Sequence, residues 1–264
     1  MIIMSRNENL IPVESTNRIN GFKNLLLVEL REWWSSKSWI WTTLLWVAIA
    51  NGITFLTLTA DSEITASAAL NIFFLFLGFF PPIETILVMQ GSIVEERNAG
   101  TISWVLSKPI SRPSFILAKW LGNSIFLLGT TIVIPGIIGY FELSLLTDLT
   151  INPLTYLMGL GVLGLYHLFF INFTLYLGTF KEKAAAVAGL PMIFNFAQQF
   201  LQMIPFASYV LPLTLILNQA GGNPLIVSII LEVPLNSWLP LLSTLFFGIL
   251  FLFLAIWTFE REEL

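Results

Sequence analysis

Residues 68–93 read AALNIFFLFLGFFPPIETILVMQGSI, with Glu84 as the one charge. At 1.5 Å per helical residue such a run is about 39 Å long, enough to cross a hydrocarbon core about 30 Å thick. Apolar blocks of similar length stand at 38–59, 113–140, 153–179, 184–204 and 237–259. Of 264 residues, 56% are hydrophobic and 11% charged, whereas a soluble domain carries roughly a quarter charged residues. The blocks are therefore read as six transmembrane helices of an all-α integral membrane protein. After a segment at 1–20, residues 21–264 are read as a single membrane domain.

Charge placement sets the orientation, because Lys and Arg in short loops stay on the cytoplasmic side. With six spans and an inner N-terminus, all twelve Lys and Arg, from Arg6 to Arg261, fall at the inner face. The outer loops then carry Asp61, Glu63, Glu142, Asp148 and Glu232. A count shifted by one span would spoil the pattern, so both termini are expected in the cytoplasm of a cell-membrane protein. Residues 1–20 lack the continuous apolar stretch of a secretory leader, and no cleavage is expected. Cysteine is absent, which excludes disulfides, thiol nucleophiles and thiolate metal sites. A net charge of −4 gives no reason to expect a nucleic-acid partner.

Two segments beside the spans have shapes of their own. On a helix over 22–36, Phe22, Leu26, Leu27, Leu30, Trp33 and Trp34 gather on one side. Asn24, Glu29, Arg31, Glu32, Ser35 and Ser36 lie opposite, with Lys23, Leu25 and Val28 as exceptions. Such a helix is expected to lie in the plane of the lipid headgroups, with its tryptophans at the interface. In the inner loop, Gly100 breaks the preceding helix, and Ile102, Val105 and Leu106 recur at i, i+3, i+4. That spacing fits a short amphipathic helix within 95–108, stopped by Pro109.

The loop, with its acidic pair Glu95-Glu96, Gly100-Thr101, the apolar turn at Val105-Leu106, Pro109-Ile110-Ser111-Arg112 and Lys119, resembles the permease subunits of type-2 ATP-binding-cassette exporters. The ending Phe259, Glu260, Arg261, Glu262, Glu263 is similar to theirs, as is the order of elbow helix, six spans and an apolar excursion before the last span. The resemblance implies that Glu95, Glu96, Gly100, Thr101, Ile102, Val105, Leu106, Pro109 and Arg112 form a coupling segment that docks into a groove of a separate ATPase. ATP and Mg would be held by that partner. It also implies a second permease subunit, identical or paralogous, and re-entrant hairpin helices over 206–236. No G-x-x-x-x-G-K-[ST] loop occurs, so the chain has no cradle of that kind for nucleotide and takes no cofactor of its own.

Polar residues inside the spans are the remaining candidates. Glu84 lies about 13 Å from the inner end of its span, where an ionised carboxylate costs about 2.5–3.5 kcal/mol unless it faces protein or water. It lines a pathway, or it satisfies backbone groups loosened by Pro81 and Pro82. Asn195, Gln198, Gln199 and Gln202 stand at i, i+3, i+4, i+7 and form a polar stripe on the fifth span. Four amides either line a hydrated cavity or bond across a helix interface, and the cavity is the favoured reading. At similar depth to Glu84, they are expected to share its pathway.

His167 has no metal-ligand company and reads as a helix-packing contact. Gly159, Gly161 and Gly164 match G-x-G-x-x-G, but within an apolar helix they serve packing. Asn172-Phe-Thr174 is a glycosylation acceptor inside a span and is expected to stay unmodified. A proton-coupled carrier using Glu84 and His167 is the main functional alternative. A membrane protease is disfavoured because Gly100 stands where E-E-x-x-x-R needs arginine. Cysteines placed at Glu63, Thr147 and Asn223 should react with an impermeant maleimide added outside intact cells, and one at Ala99 should not. Labelling at Ala99 would overturn the six-span topology.

Overall fold

The computed structural model describes residues 21–60, 64–147, 150–204, 206–218 and 222–261. The N-terminal segment 1–20, the outer acidic residues Asp61, Glu63 and Asp148, and the C-terminal Glu262 and Glu263 lie outside the described residues. Of the described residues 83% are helical, and none is in a strand.

Helix α1 covers Phe22–Ser36, α2 Ser38–Ala60, α3 Ala66–Asn98, α4 Thr101–Leu106, α5 Arg112–Leu146, α6 Pro153–Phe180, α7 Ala184–Leu201, α8 Leu225–Ile230 and α9 Leu239–Glu260. Six of them, α2, α3, α5, α6, α7 and α9, are long and apolar enough to cross a membrane. Large apolar side chains point outward from them, among them Trp41, Leu145, Phe200 and Phe253. Lipid accepts a surface of that kind, and water does not.

Local chemistry sets the helix ends and bends. The Asn152 side chain accepts from Leu154 N at 3.0 Å and caps α6, whose first residue is Pro153. That position loses nothing by lacking an N–H. Pro81 and Pro82 interrupt α3 at Phe80, where Ile83 N turns to Phe80 O at 3.0 Å instead of Phe79 O. Two π turns, Val47–Asn51 in α2 and Gly129–Val133 in α5, lie in the interface where these helices pack on each other.

α6 is the central helix, touching α3, α5, α7, α8 and α9, with its largest interface on α9. Asn172 ties three spans together. It accepts from Trp120 Nε1 of α5 at 2.7 Å and donates to Gly248 O of α9 at 3.0 Å. Its amide is thereby buried and engaged, which agrees with an acceptor sequence that stays unmodified.

The stretch 206–236 contains two short 3-10 turns, Ala207–Tyr209 and Pro212–Leu215, and the six-residue α8. Among the described residues, the stretch expected to form re-entrant hairpin helices shows only these short helical pieces. Its Leu213, Leu215, Ile216, Ile226 and Val227 are fully buried with Phe74, Leu77 and Leu163 of the spans.

α1 differs from its helical-wheel reading. Its protein-facing side is Phe22, Leu25, Leu26, Glu29, Leu30 and Trp33, packed on α5, while Leu27, Val28 and Trp34 are exposed. Leu25 and Glu29 turn inward because α5 offers an apolar wall interrupted by one cation.

α3 and α5 come together at Gly139. A Cβ there would stand 2.2 Å from Cζ of Phe73, a ring with no exposure of its own. Gly139→Ala is therefore expected to destabilise the bundle by about 1–3 kcal/mol, the usual cost of overpacking. The midpoint of unfolding in mixed micelles measures it, and an unchanged midpoint would mean that the two helices separate freely at this level.

Candidate functional site

The loop between α3 and α5 is built by one break and one short helix. α3 runs on past the apolar block to Asn98, so Glu95 and Glu96 sit on its last turn. Gly100 takes φ +71°, a left-handed value that favours glycine, and the chain restarts as α4 at Thr101. Ile102 of α4 is buried in the chain's own core with Met89, Ile93, Phe115 and Phe259, and Val105 and Leu106 pack against the same cluster.

In the single chain Ile102 is thus taken up by the chain's own core, with Val105 and Leu106 half-buried against it. An apolar i, i+3, i+4 face marks which side of a helix avoids water, and here the nearest apolar surface belongs to the same chain. The outward side carries Ser103, Trp104, Ser107 and Lys108. Trp104 is 62% exposed, and Lys108 Nζ lies 3.5 Å from its ring centroid. Pro109, also exposed, follows. Trp104 escaped the sequence reading because it breaks the apolar period, although an off-period tryptophan in a polar turn was itself a signal.

Arginines on either side of α4 hold it to the bundle. Arg97 donates from Nη1 to Gly178 O and Lys181 O at 3.0 and 3.1 Å, and from Nη2 to Thr179 O at 2.9 Å. Arg112 donates from Nη1 to Glu260 O at 3.0 Å and Phe259 O at 3.4 Å. These carbonyls end α6 and α9, where a helix lacks intrahelical donors and its dipole favours a cation. The segment carrying α4 is thus clamped to the C-terminal ends of two spans distant in sequence. Phe115 stacked on Phe259, with ring centroids 5.4 Å apart, seals the second clamp.

Lys119 of α5 organises the neighbouring wall. Only 6% exposed, it binds Glu29 of α1 at 2.6 Å and Glu96 of α3. Burial pushes the Glu29 carboxyl above the ordinary carboxylate range, and Lys119 pulls it back. Removing Lys119 would strand two carboxylates around one site. Trp33 Nε1 adds a bond to Asn123 Oδ1 at 3.0 Å, so α1 is fastened to α5 by an ion pair and an indole.

Beside this wall a cleft of about 420 Å³ opens between α1, the start of α2, and α3. One face of α3 lines it, through Glu84, Leu87, Val88, Gly91, Ser92 and Glu95, at alternating spacings of three and one. Glu84 sits at its deep end, half-buried. Thr42 Oγ1 donates to Glu84 Oε1 at 2.8 Å and Trp46 Nε1 donates to Oε2. Both carboxylate oxygens therefore have donors.

The polar stripe goes elsewhere. Asn195 is fully buried. It accepts from Tyr166 Oη at 3.1 Å and donates at 3.2 Å to Phe79 O, the carbonyl left free where Ile83 N turns to Phe80 O. Gln198, equally buried, accepts from Leu213 N at 2.9 Å. Gln202 donates to Leu217 O at 2.8 Å and Thr214 Oγ1 at 3.2 Å, and Gln199 is half-buried. The structure does not bring the stripe and Glu84 together in one cleft: the cleft reaching Glu84 includes no stripe residue among its lining. Three of the four amides hold irregular backbone in place, as an unpaired group in the membrane interior requires. His167 is buried, with Nδ1 3.0 Å from Leu163 O.

Gln198→Leu should leave the Leu213 amide unsatisfied and cost about 1–3 kcal/mol of stability. Single cysteines at Gln198 and Gln202 should stay unreactive toward small water-soluble thiol reagents. Ready labelling at both would restore a hydrated pathway along the stripe.

Comparison with curated proteins finds no match for the chain. A family model described as "ABC-2 family transporter protein" matches residues 47–264, taking in all of α3 to α9 and both arginine clamps. On that match, and with six helices able to cross a membrane, the chain is a multi-pass membrane protein that belongs to the ABC-2 family of transporter proteins.

Proposed function

We propose that the chain is the permease subunit of an ATP-driven exporter and that a separate ATPase subunit drives it by pressing on α4. The reading rests on one observation above others: the inner face of α4 is spent on the chain's own core, and its outer face presents a 62% exposed tryptophan with a lysine over the ring. An exposed tryptophan at the tip of a short, clamped helix is the kind of side chain that anchors a protein interface. Family membership adds that an ATPase partner is to be sought. In this reading both termini lie on the cytoplasmic side with α4, a second permease copy or paralogue completes the assembly, and ATP and Mg stay on the partner.

The arginine clamps give the push a direction. Force on α4 reaches the inner ends of α6 and α9 through Arg97 and Arg112, besides the helices that directly precede and follow α4.

Trp104→Ala is expected to weaken capture of the co-purifying ATPase about thirtyfold, the effect of losing a hot spot of about 2 kcal/mol. Trp104→Asp should abolish capture while the permease still inserts and folds. The check is quantitative pull-down from native membranes, followed by ATP hydrolysis in reconstituted vesicles. Full capture and full coupling in Trp104→Asp would show that α4 is only a connection between spans.

A further inference from the structure

Resting on the reading of the chain as a transport subunit, we infer that Glu84 is the binding carboxylate for an amphipathic organic cation, a molecule with one positive centre and an aromatic or aliphatic body. Glu84 belongs to two cavities at once. The cleft along α3 holds about 420 Å³, and a second recess of about 360 Å³ lies across Glu84 and Leu87 from it. Each falls within the range of roughly 300–1,000 Å³ typical of small-molecule sites.

The two cavities differ in chemistry. The recess is formed by Trp46, Ile49, Phe76, Phe80, Ile83, Leu87 and the stem of Glu84, and only apolar surface faces into it, so the carboxylate itself is met from the cleft. Three of these are aromatic rings, which accept an apolar body and also attract a cation through their faces. The cleft is lined by Glu29, Glu32, Glu84, Glu95 and Glu96 with Lys119 as its cation among the described residues. Lys119 is engaged by Glu29 and Glu96, so Glu32 and Glu95 near the mouth and Glu84 at the deep end remain to set the sign of the field.

From Glu95 to Glu84 the cleft follows α3 for roughly 16 Å. A cation entering at the rim is drawn along carboxylates and meets, at the end, the Glu84 carboxylate beside an aromatic recess. An anion would be repelled over the same length, and a small hydrated metal ion would gain nothing from the recess. Donors from Thr42 and Trp46 occupy one lone pair on each Glu84 oxygen and leave the others for the ligand. Leu87, 51% exposed, forms the shared wall.

The test uses the full chain with its co-purified ATPase in nanodiscs and two probes of the same shape and opposite charge, tetraphenylphosphonium and tetraphenylborate. Tetraphenylphosphonium should bind saturably to the protein. Glu84→Gln should weaken it at least tenfold, Glu84→Asp should keep most of it, and Leu87→Lys should abolish it by placing a cation at the shared wall. Tetraphenylborate should not compete. If Glu84→Gln fails to fold, Leu87→Lys, at an exposed position, still decides. Equal binding of both probes, or binding indifferent to Glu84 and Leu87, overturns the site. So does a recess covered by a second copy of the chain, seen as dissociation of a dimer by Leu87→Lys with no binding of the cation to the wild type. ATPase capture measured in the same preparation separates the outcomes: if it persists while cation binding is absent, the substrate class is wrong and the transport reading stands.

Discussion

A backbone carbonyl or amide that loses its helical partner inside hydrocarbon has no water to turn to, and side chains must answer each such loss. In this protein the answers are individual and traceable. Asn195 takes up the Phe79 carbonyl left free where Ile83 N turns to Phe80 O, Gln198 the Leu213 amide, and Gln202 the Leu217 carbonyl. Tyr156 donates to Gly136 O at 2.8 Å, and Arg97 and Arg112 close the ends of α6 and α9. Several polar side chains in the spans are thus the complement of irregular backbone.

This explains what could be read from the sequence and what could not. The six spans were legible because length and hydrophobicity alone decide them. The end of α3 at Gly100 was legible because few residues other than glycine take that backbone angle readily. The partner of an apolar face or a polar stripe is a different matter. Ile102, Val105 and Leu106 declare only that they avoid water, and the four amides of α7 only that they avoid lipid. Whether the shelter is another protein, the same chain or a hydrated cavity depends on tertiary contacts with residues far away in sequence, such as Phe259 and Leu213. Glu29 was misread for a similar reason. On a helical wheel it is polar and belongs outside, but Lys119, ninety residues later, gives it a reason to turn inward.

The inner half of the molecule then emerges as two mechanical groups that share α3 and α5. One is the block of α4 with the ends of α6 and α9, held by arginines and the Phe115–Phe259 stack. The other is the wall of α1 and the start of α2, held by Lys119, Trp33 and the bonds to Glu84. The cleft lies along the second group, while the exposed tryptophan belongs to the first. Glu96 sits where they meet: it ends the helix that precedes Gly100 and at the same time binds Lys119. Glu96 thus joins the α4 block, along the chain, to the ion pair that fastens α1 to α5.

The π turn at Val47–Asn51 has a consequence for the phase of α2. Each residue of a regular helix advances the side-chain direction by about 100°, and a π turn holds an additional residue without unwinding the chain. Everything on the inner side of that turn, Thr42 and Trp46 included, is therefore out of step with the outer half of α2 by one residue's rotation. The inner half can aim its hydroxyl and indole at Glu84 while the outer half keeps its own seam against α3 and α5. Deleting a single residue from Val47–Asn51 would bring the halves into step and swing both donors off the carboxylate, leaving a bare charge in the membrane with every side chain around it unchanged.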